Sequence, residues 1–516
     1  MNKIFILLKY LFYLFLLITF LKTINIYPGK KSIYLFFSII SVAHLFYGLR
    51  KESFFVDKFI ALFFWLGFWF KFSFEFAYSL WGPINFREGI GLFEKTPVGY
   101  DNVLLISSVG ITAFIFTSYI RKLFFSNHKV SFKNSKNLFY NNNKKIIYFI
   151  FYFAVFFVSI TNLYYGIYQK GIIPNQNISI YISYVYRWLL LFGFTSFACI
   201  LLYFEIANKT INYKLIYLLF FESFVSNLSL YSRSAIFNFI SLIYGLFYYL
   251  SKINLKSKLV LGLIVFSFIL FFFNILTVNK IRDLKFYDQT KVSKISNIQK
   301  FTVSTKDLEN FFVTNLSIDD LSNLIAIRTS NKINIFDLIS PSNNNIITSN
   351  IYNILYLFSN RWVGIDAVMA VYSQKDNLNF DLIRDSLDEK FEQNKYSFFE
   401  RFFLNRSKEV EDKNHVNSNA VILPGLIAYL YFSGSKVFLF TSIVILVFAC
   451  QILEQLSYKL SKKNIIFTAF MGYVFASRLA HSGYLVSNNI KYLVALILNL
   501  FVVYLIIKIF QKLNKN

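Results

Sequence analysis

The 516-residue chain is 56% hydrophobic and 21% aromatic with only 16% charged residues, which excludes a soluble globular domain of this length and points to a polytopic membrane protein. The formal net charge of +26 does not mark a nucleic-acid partner. Residues 279–435 carry 18 Lys+Arg against 18 Asp+Glu, leaving 35 basic and 9 acidic residues elsewhere, and that excess sits in short connectors between apolar blocks, where positive charge orients spans.

Taken in chain order, nine apolar segments of roughly bilayer-spanning length precede the charge-balanced region, near 4–21, 32–49, 57–80, 102–120, 146–166, 181–204, 213–231, 234–250 and 258–278. Three more follow it, near 436–456, 464–480 and 490–508. The first block follows Met1-Asn2-Lys3 without a small-residue cleavage site and reads as an uncleaved signal anchor. Segment 121–145 holds Arg121, Lys122, Lys129, Lys133, Lys136, Lys144 and Lys145 with no acid, which assigns it to the cytoplasm. With alternating loops, 206–214, 251–258 and the tail with Lys508, Lys512 and Lys515 fall inside too, so both termini are expected to be cytoplasmic.

The expected fold class is therefore an all-α polytopic membrane protein of about 12 transmembrane helices with a large outer, periplasmic helical loop. Residues 1–278 supply nine helices, 279–435 the loop, and 436–516 the last three. Within the loop, 311–326 and 351–373 are expected to be helical, and 340–350 and 405–418 exposed turns. Segment 421–432 is apolar but too short to cross and contains Pro424 and Gly425, so it reads as an interfacial or re-entrant helix. No internal repeat is evident, which weighs against a transporter of two related halves.

Lys is the default base of this chain, and ten of its twelve arginines fall on the outer side of this layout. Orientation needs positive charge inside, so an outer arginine asks for another role, such as forking onto phosphate or carboxylate. Arg233, in Ser232-Arg233-Ser234, lies where a tight turn becomes the span 234–250, with Ser232 placed to cap the helix. A cation at a helix N-terminus is unfavourable unless an anion joins it, and the combination makes an anion site. Arg361 repeats the pattern, with Ser359 and Asn360 as caps and an apolar helix 361–373 behind it. The structural alternative for each is a snorkelling arginine at the bilayer edge. Arg478 and His481 sit near the end of the penultimate span, where a cation also compensates the helix dipole. Arg187 and Glu222 lie within spans, and a mutual ion pair is the structural reading of the two. Arg384, Arg401 and Arg406 read as ordinary charges of a polar loop.

Absences narrow the chemistry. There is no P-loop, HExxH or nucleotide-binding glycine fingerprint. Cys199 and Cys450 both fall in apolar spans, which removes a disulfide framework and a thiolate metal site. The four histidines, His44, His128, His415 and His481, are scattered, and segment 22–31 has no Asp or Glu. Neither metal nor cofactor is expected.

Three segments together resemble the oligosaccharide repeat-unit polymerases, or O-antigen polymerases, of bacterial surface polysaccharide synthesis. They are SRSAIFNFISLIYGL at 232–246, RWVGIDAVMAVYS at 361–373 and PGLIAYLYFSG at 424–434. The resemblance implies a multi-pass protein of the bacterial inner membrane that transfers a glycan from a polyprenyl-diphosphate carrier to another carrier-linked repeat unit. It implies metal-independent glycosyl transfer, with a lipid-linked oligosaccharide as substrate, the bilayer as surroundings and a chain-length regulator as a further partner. Arg233, Arg361, Arg478, Arg187 and Arg282 would hold the diphosphate. Asp366 would activate the acceptor hydroxyl, with His481 next, although a structural Asp366 on the polar side of its helix is the plainer reading. An O-antigen ligase would share this chemistry with a different acceptor. A lipid-linked oligosaccharide flippase would call for two similar halves.

Overall fold

The computed structural model describes residues 2–78, 90–129, 137–170, 178–207, 213–232, 234–253, 257–299, 362–390, 396–405 and 422–514. Every regular element among them is helical. The first half comprises α1 (Asn2–Ile26), α2 (Lys31–Gly48), α3 (Phe55–Phe64), α4 (Lys71–Ala77), α5 (Pro97–Phe124), α6 (Leu138–Tyr165), α7 (Ile180–Trp188), α8 (Phe194–Ala207), α9 (Tyr213–Ser229), α10 (Ala235–Ile253) and α11 (Ser257–Gln299). The second comprises α12 (Ile365–Tyr372), α13 (Phe380–Leu387), α14 (Phe398–Phe402), α15 (Gly425–Leu430), α16 (Lys436–Leu460), α17 (Ile465–Ala480) and α18 (Val486–Leu513).

Eight helical stretches are long and apolar enough to cross a bilayer: Lys31–Gly48, Phe55–Ala77, Pro97–Phe124, Leu138–Tyr165, Ile180–Ala207, Lys258–Ile281, Lys436–Leu460 and Lys491–Leu513. The other four expected spans are helices as well. Tyr10–Ile26, Ala235–Leu250 and Ile465–Ala480 are shorter apolar helices, and α9 carries a buried row of Glu222, Ser223, Ser226, Asn227 and Ser229. The exposed apolar faces fit a lipid solvent: on α6, Phe149, Phe153, Phe157 and Ile160 are all exposed, and water would penalise so continuous a patch. The chain is an all-helical membrane protein.

Two of the long helices are interrupted by π-helical turns, Trp65–Phe70 between α3 and α4 and Leu189–Gly193 between α7 and α8. Such turns rotate the residues beyond them relative to the helix before. α17 is buried along nearly its whole length and packs against α3, α10 and α16.

Two compact units are distinguished: Met1–Asp283 with Trp362–Asn516, and Leu284–Arg361. From Trp362 onward, therefore, the expected loop 279–435 belongs to the same unit as the bundle. The helix anticipated over 361–373 starts at Ile365, after Gly364, so Arg361 does not occupy its first turn. α15 and the 3-10 turn Tyr431–Ser433 are buried on every side; a helix lying on a surface would leave one face open. Segments 311–326, 340–350 and 406–418 lie outside the described residues.

One end of the bundle is closed by an internal charge network. Asp57 in the first turn of α3 is 3.3 Å from the Arg121 guanidinium, and both are buried. Arg121 also lies over the Phe54 ring, 4.3 Å from its centre, and Gln451 donates to Asp57 at 2.6 Å. The Glu454 carboxylate accepts the Phe55 and Val56 N–H groups at 2.9 and 2.7 Å, which caps α3 with an anion from α16. His128 bonds Glu454 at 2.8 Å. Arg121, read from sequence as an orienting charge, is a buried structural residue.

Candidate functional site

Asp57 and Lys71 lie at opposite ends of one long helical stretch, about 20 Å apart at 1.5 Å per residue. The Lys71 end gathers the functional candidates. Its construction begins at Gly67 in the π-turn, where a Cβ would stand 2.2 Å from the Val363 carbonyl oxygen. At Gly364 a Cβ would stand 2.3 Å from the Gly67 carbonyl oxygen. Two glycines facing each other thus let residues 362–364 press directly onto the α3–α4 stretch. That contact seats the start of α12 beside α4. Asp366, in the first turn of α12, then forms an ion pair with Lys71, whose ammonium also donates to the Trp362 carbonyl at 3.4 Å. Lys71 is 3% exposed and Asp366 17%.

Glu75 follows Lys71 by one helical turn, on the same face, and lies within electrostatic reach of both Lys71 and Asp366. Both Glu75 carboxylate oxygens and Oδ1 of Asp366 are buried without a hydrogen-bond donor. Asp366, expected to activate the acceptor with His481 next, is one member of a Lys71–Asp366–Glu75 group.

A cation-rich rim, Arg478 and Arg187, is carried by α17 and α7. Arg478, in the last turn of α17, lies over the Tyr492 ring at 3.5 Å, and Arg187, in the last turn of α7, over the Tyr168 ring at 5.2 Å. Tyr168 is also in the electrostatic surroundings of Arg478. No described carboxylate forms an ion pair with either arginine. The expected Arg187–Glu222 pair is not formed. Glu222 accepts instead from Ser226 at 2.7 Å and from Thr195 and Ser223 at 3.3 Å each, because nearby hydroxyls on α8 and α9 satisfy the buried carboxyl locally. His481, just past α17, bonds the Ser477 carbonyl through Nδ1 at 2.8 Å and meets the Phe63 ring edge-on at 6.1 Å.

Arg233 lies outside the described residues, but the turn that carries it is held from several sides. Lys170 donates to the Ser232 and Ser234 hydroxyls at 3.0 and 3.3 Å, Ser234 donates to Asn227 at 3.1 Å, and Asn274 donates to the Ser232 carbonyl at 2.7 Å. α10 begins at Ala235, and the Ser232 hydroxyl accepts the Ser234 N–H at 3.3 Å. Arg361 and the side chain of Arg282 likewise lie outside the described residues.

Aromatic rings join the charged group to the rim. Trp362 meets Phe237 at 5.9 Å, Phe237 stacks on Tyr473 at 5.9 Å, and Phe63 touches both Phe237 and Tyr473. Sequence reading passed over Lys71, Glu75, Lys170 and these rings. A signal for the first two was present: in KFSFEFA two opposite charges stand four residues apart inside an apolar span, where ionisable residues are costly and tend to serve function. Among the described residues no group of three His, Cys, Asp or Glu could hold a metal. Comparison with protein-family models, curated proteins and solved structures returned no match for this chain.

Proposed function

We propose that the chain is a repeat-unit polymerase that joins polyprenyl-diphosphate-linked oligosaccharides on the outer face of a bacterial inner membrane. In this reading it has about twelve spans, cytoplasmic termini, an outer loop over 279–435 and a chain-length regulator as partner. What supports it most is the meeting of three distant segments. Residues of 232–246, 361–373 and 424–434, which carry the resemblance to such polymerases, pack around one another: Phe237 against Trp362, and Gly425 against Val363, which a Cβ at Gly425 would approach to 2.6 Å. Beside them stand Arg187 and Arg478, neither of which forms an ion pair with a described carboxylate and both of which suit an anion.

In the reaction the acceptor hydroxyl attacks the anomeric carbon of the donor sugar. The bond from that carbon to the diphosphate breaks, and its electron pair leaves on the diphosphate. Arg187 and Arg478, with Arg233 and Arg361, would stabilise this developing charge, and a planar guanidinium does so through two parallel N–H groups. The test is complementation of cells lacking the native enzyme, read as the length distribution of surface polysaccharide, with membrane levels checked by immunoblot. Lys in place of Arg187, Arg478, Arg233 or Arg361 should reduce polymerisation about 100-fold. Arg384→Lys, altering an exposed Asp381 pair, should not. Normal chain lengths in all four variants would overturn the diphosphate site, and wild-type protein that yields only single repeats on a lipid core would overturn the polymerase.

A further inference from the structure

We infer that Glu75 and Asp366 form the acceptor-hydroxyl subsite of this transfer, with Glu75 as the general base; the inference rests on the polymerase reading. Three carboxylate oxygens there, both of Glu75 and Oδ1 of Asp366, are buried and accept no hydrogen bond. Oδ2 of Asp366 is engaged by Lys71. Buried acceptors left without donors are costly, and the cost is offset when a ligand brings donors. Two adjacent carboxylates could in principle attract a metal cation, but here the Lys71 ammonium already stands against Asp366, and a second positive centre a few ångströms away would be repelled. Neutral hydroxyl donors meet no such opposition. A saccharide with neighbouring hydroxyls supplies donors of the right kind and number.

Asp366 and Glu75 then divide the work by their partners. Asp366, whose Oδ2 is engaged by the Lys71 ammonium, holds and positions the acceptor through Oδ1. Glu75 has no direct hydrogen bond and is available to take a proton. As the acceptor oxygen bonds to the anomeric carbon and the diphosphate departs, the hydroxyl proton passes to Glu75 and from there to water. Trp362, whose carbonyl accepts from Lys71, packs on Phe237, and Phe237 on Tyr473, so a chain of ring contacts runs from this subsite to α17, the helix that carries Arg478.

The probe is the lipid-linked repeat unit that accumulates in cells lacking the native enzyme, incubated with purified protein and followed by polymer formation on gels. Glu75→Gln should lower kcat about 100-fold or more while the apparent KM changes by only a few fold. Glu75→Asp, which keeps the carboxyl, should recover part of the rate. The acid limb of the pH–rate profile should vanish in Glu75→Gln; Lys71, Asp366 and the Tyr100 hydroxyl are the other titratable groups facing Glu75. Gel filtration in detergent separates failure to fold from loss of chemistry. If wild type polymerises and Glu75→Gln does so at the same rate with the same pH profile, the subsite is wrong and the polymerase stands. If wild type makes no polymer from this probe, the polymerase reading falls and the subsite with it.

Discussion

Arg121→Met should destabilise the protein by about 3–5 kcal/mol, the cost of leaving one partner of a buried ion pair unpaired. The geometry sets the scale. Opposite charges at the 3.3 Å separating Arg121 from Asp57 attract by about 5 kcal/mol at an effective dielectric constant of about 20, and the guanidinium over Phe54 adds about 1–2 kcal/mol when desolvated. Met recovers part of this by filling the same volume. After the substitution buried Asp57 keeps only neutral hydrogen-bond donors, Gln451 and Ser118. Asp57→Asn removes that charge, so the double variant Arg121→Met/Asp57→Asn should return to within about 1–2 kcal/mol of wild type, since apolar or neutral replacements of a buried pair are often tolerated. The assay is reversible unfolding of purified protein by SDS titration in mixed micelles, carried out as a double-mutant cycle. A coupling energy below about 0.5 kcal/mol would refute the argument, because the pair would then contribute no more than an exposed one.

Gly67→Ala and Gly364→Ala should each loosen the docking of residues 362–372, since the added Cβ would meet backbone oxygen at 2.2 and 2.3 Å; limited proteolysis should cut this segment faster, and unchanged cleavage would show that the backbone yields. Alkaline phosphatase fused within 285–415 should be active and fusions within 121–145 or after 508 inactive; an active fusion at 130 would invert the proposed topology. Polymer formation should persist in chelator, because Lys71 occupies the charge environment a metal would need; activity lost in chelator and restored by magnesium or manganese would contradict both the transfer mechanism and the acceptor subsite.

The sequence alone determined that this is a helical membrane protein, because bilayer insertion depends on hydropathy summed over a local window of roughly 20 residues. Each expected span coincides with a helix. Arg187, Arg478, His481 and Asp366 were legible as candidates, since a charge near the end of an apolar run is conspicuous by itself. Their partners were not. Lys71 meets Asp366 across 295 residues of sequence, and Glu454 caps α3 across 399. Such pairings depend on which helix faces meet, and that depends on two glycines accepting a backbone contact and on π-turns rotating the residues beyond them. Glu222, conversely, found its partners within α8 and α9, so the Arg187–Glu222 pair that the composition of the spans suggested was replaced by local hydroxyls. Tertiary packing alone decided which buried charges were paired and which, Glu75, Arg187 and Arg478, form no ion pair among the described residues.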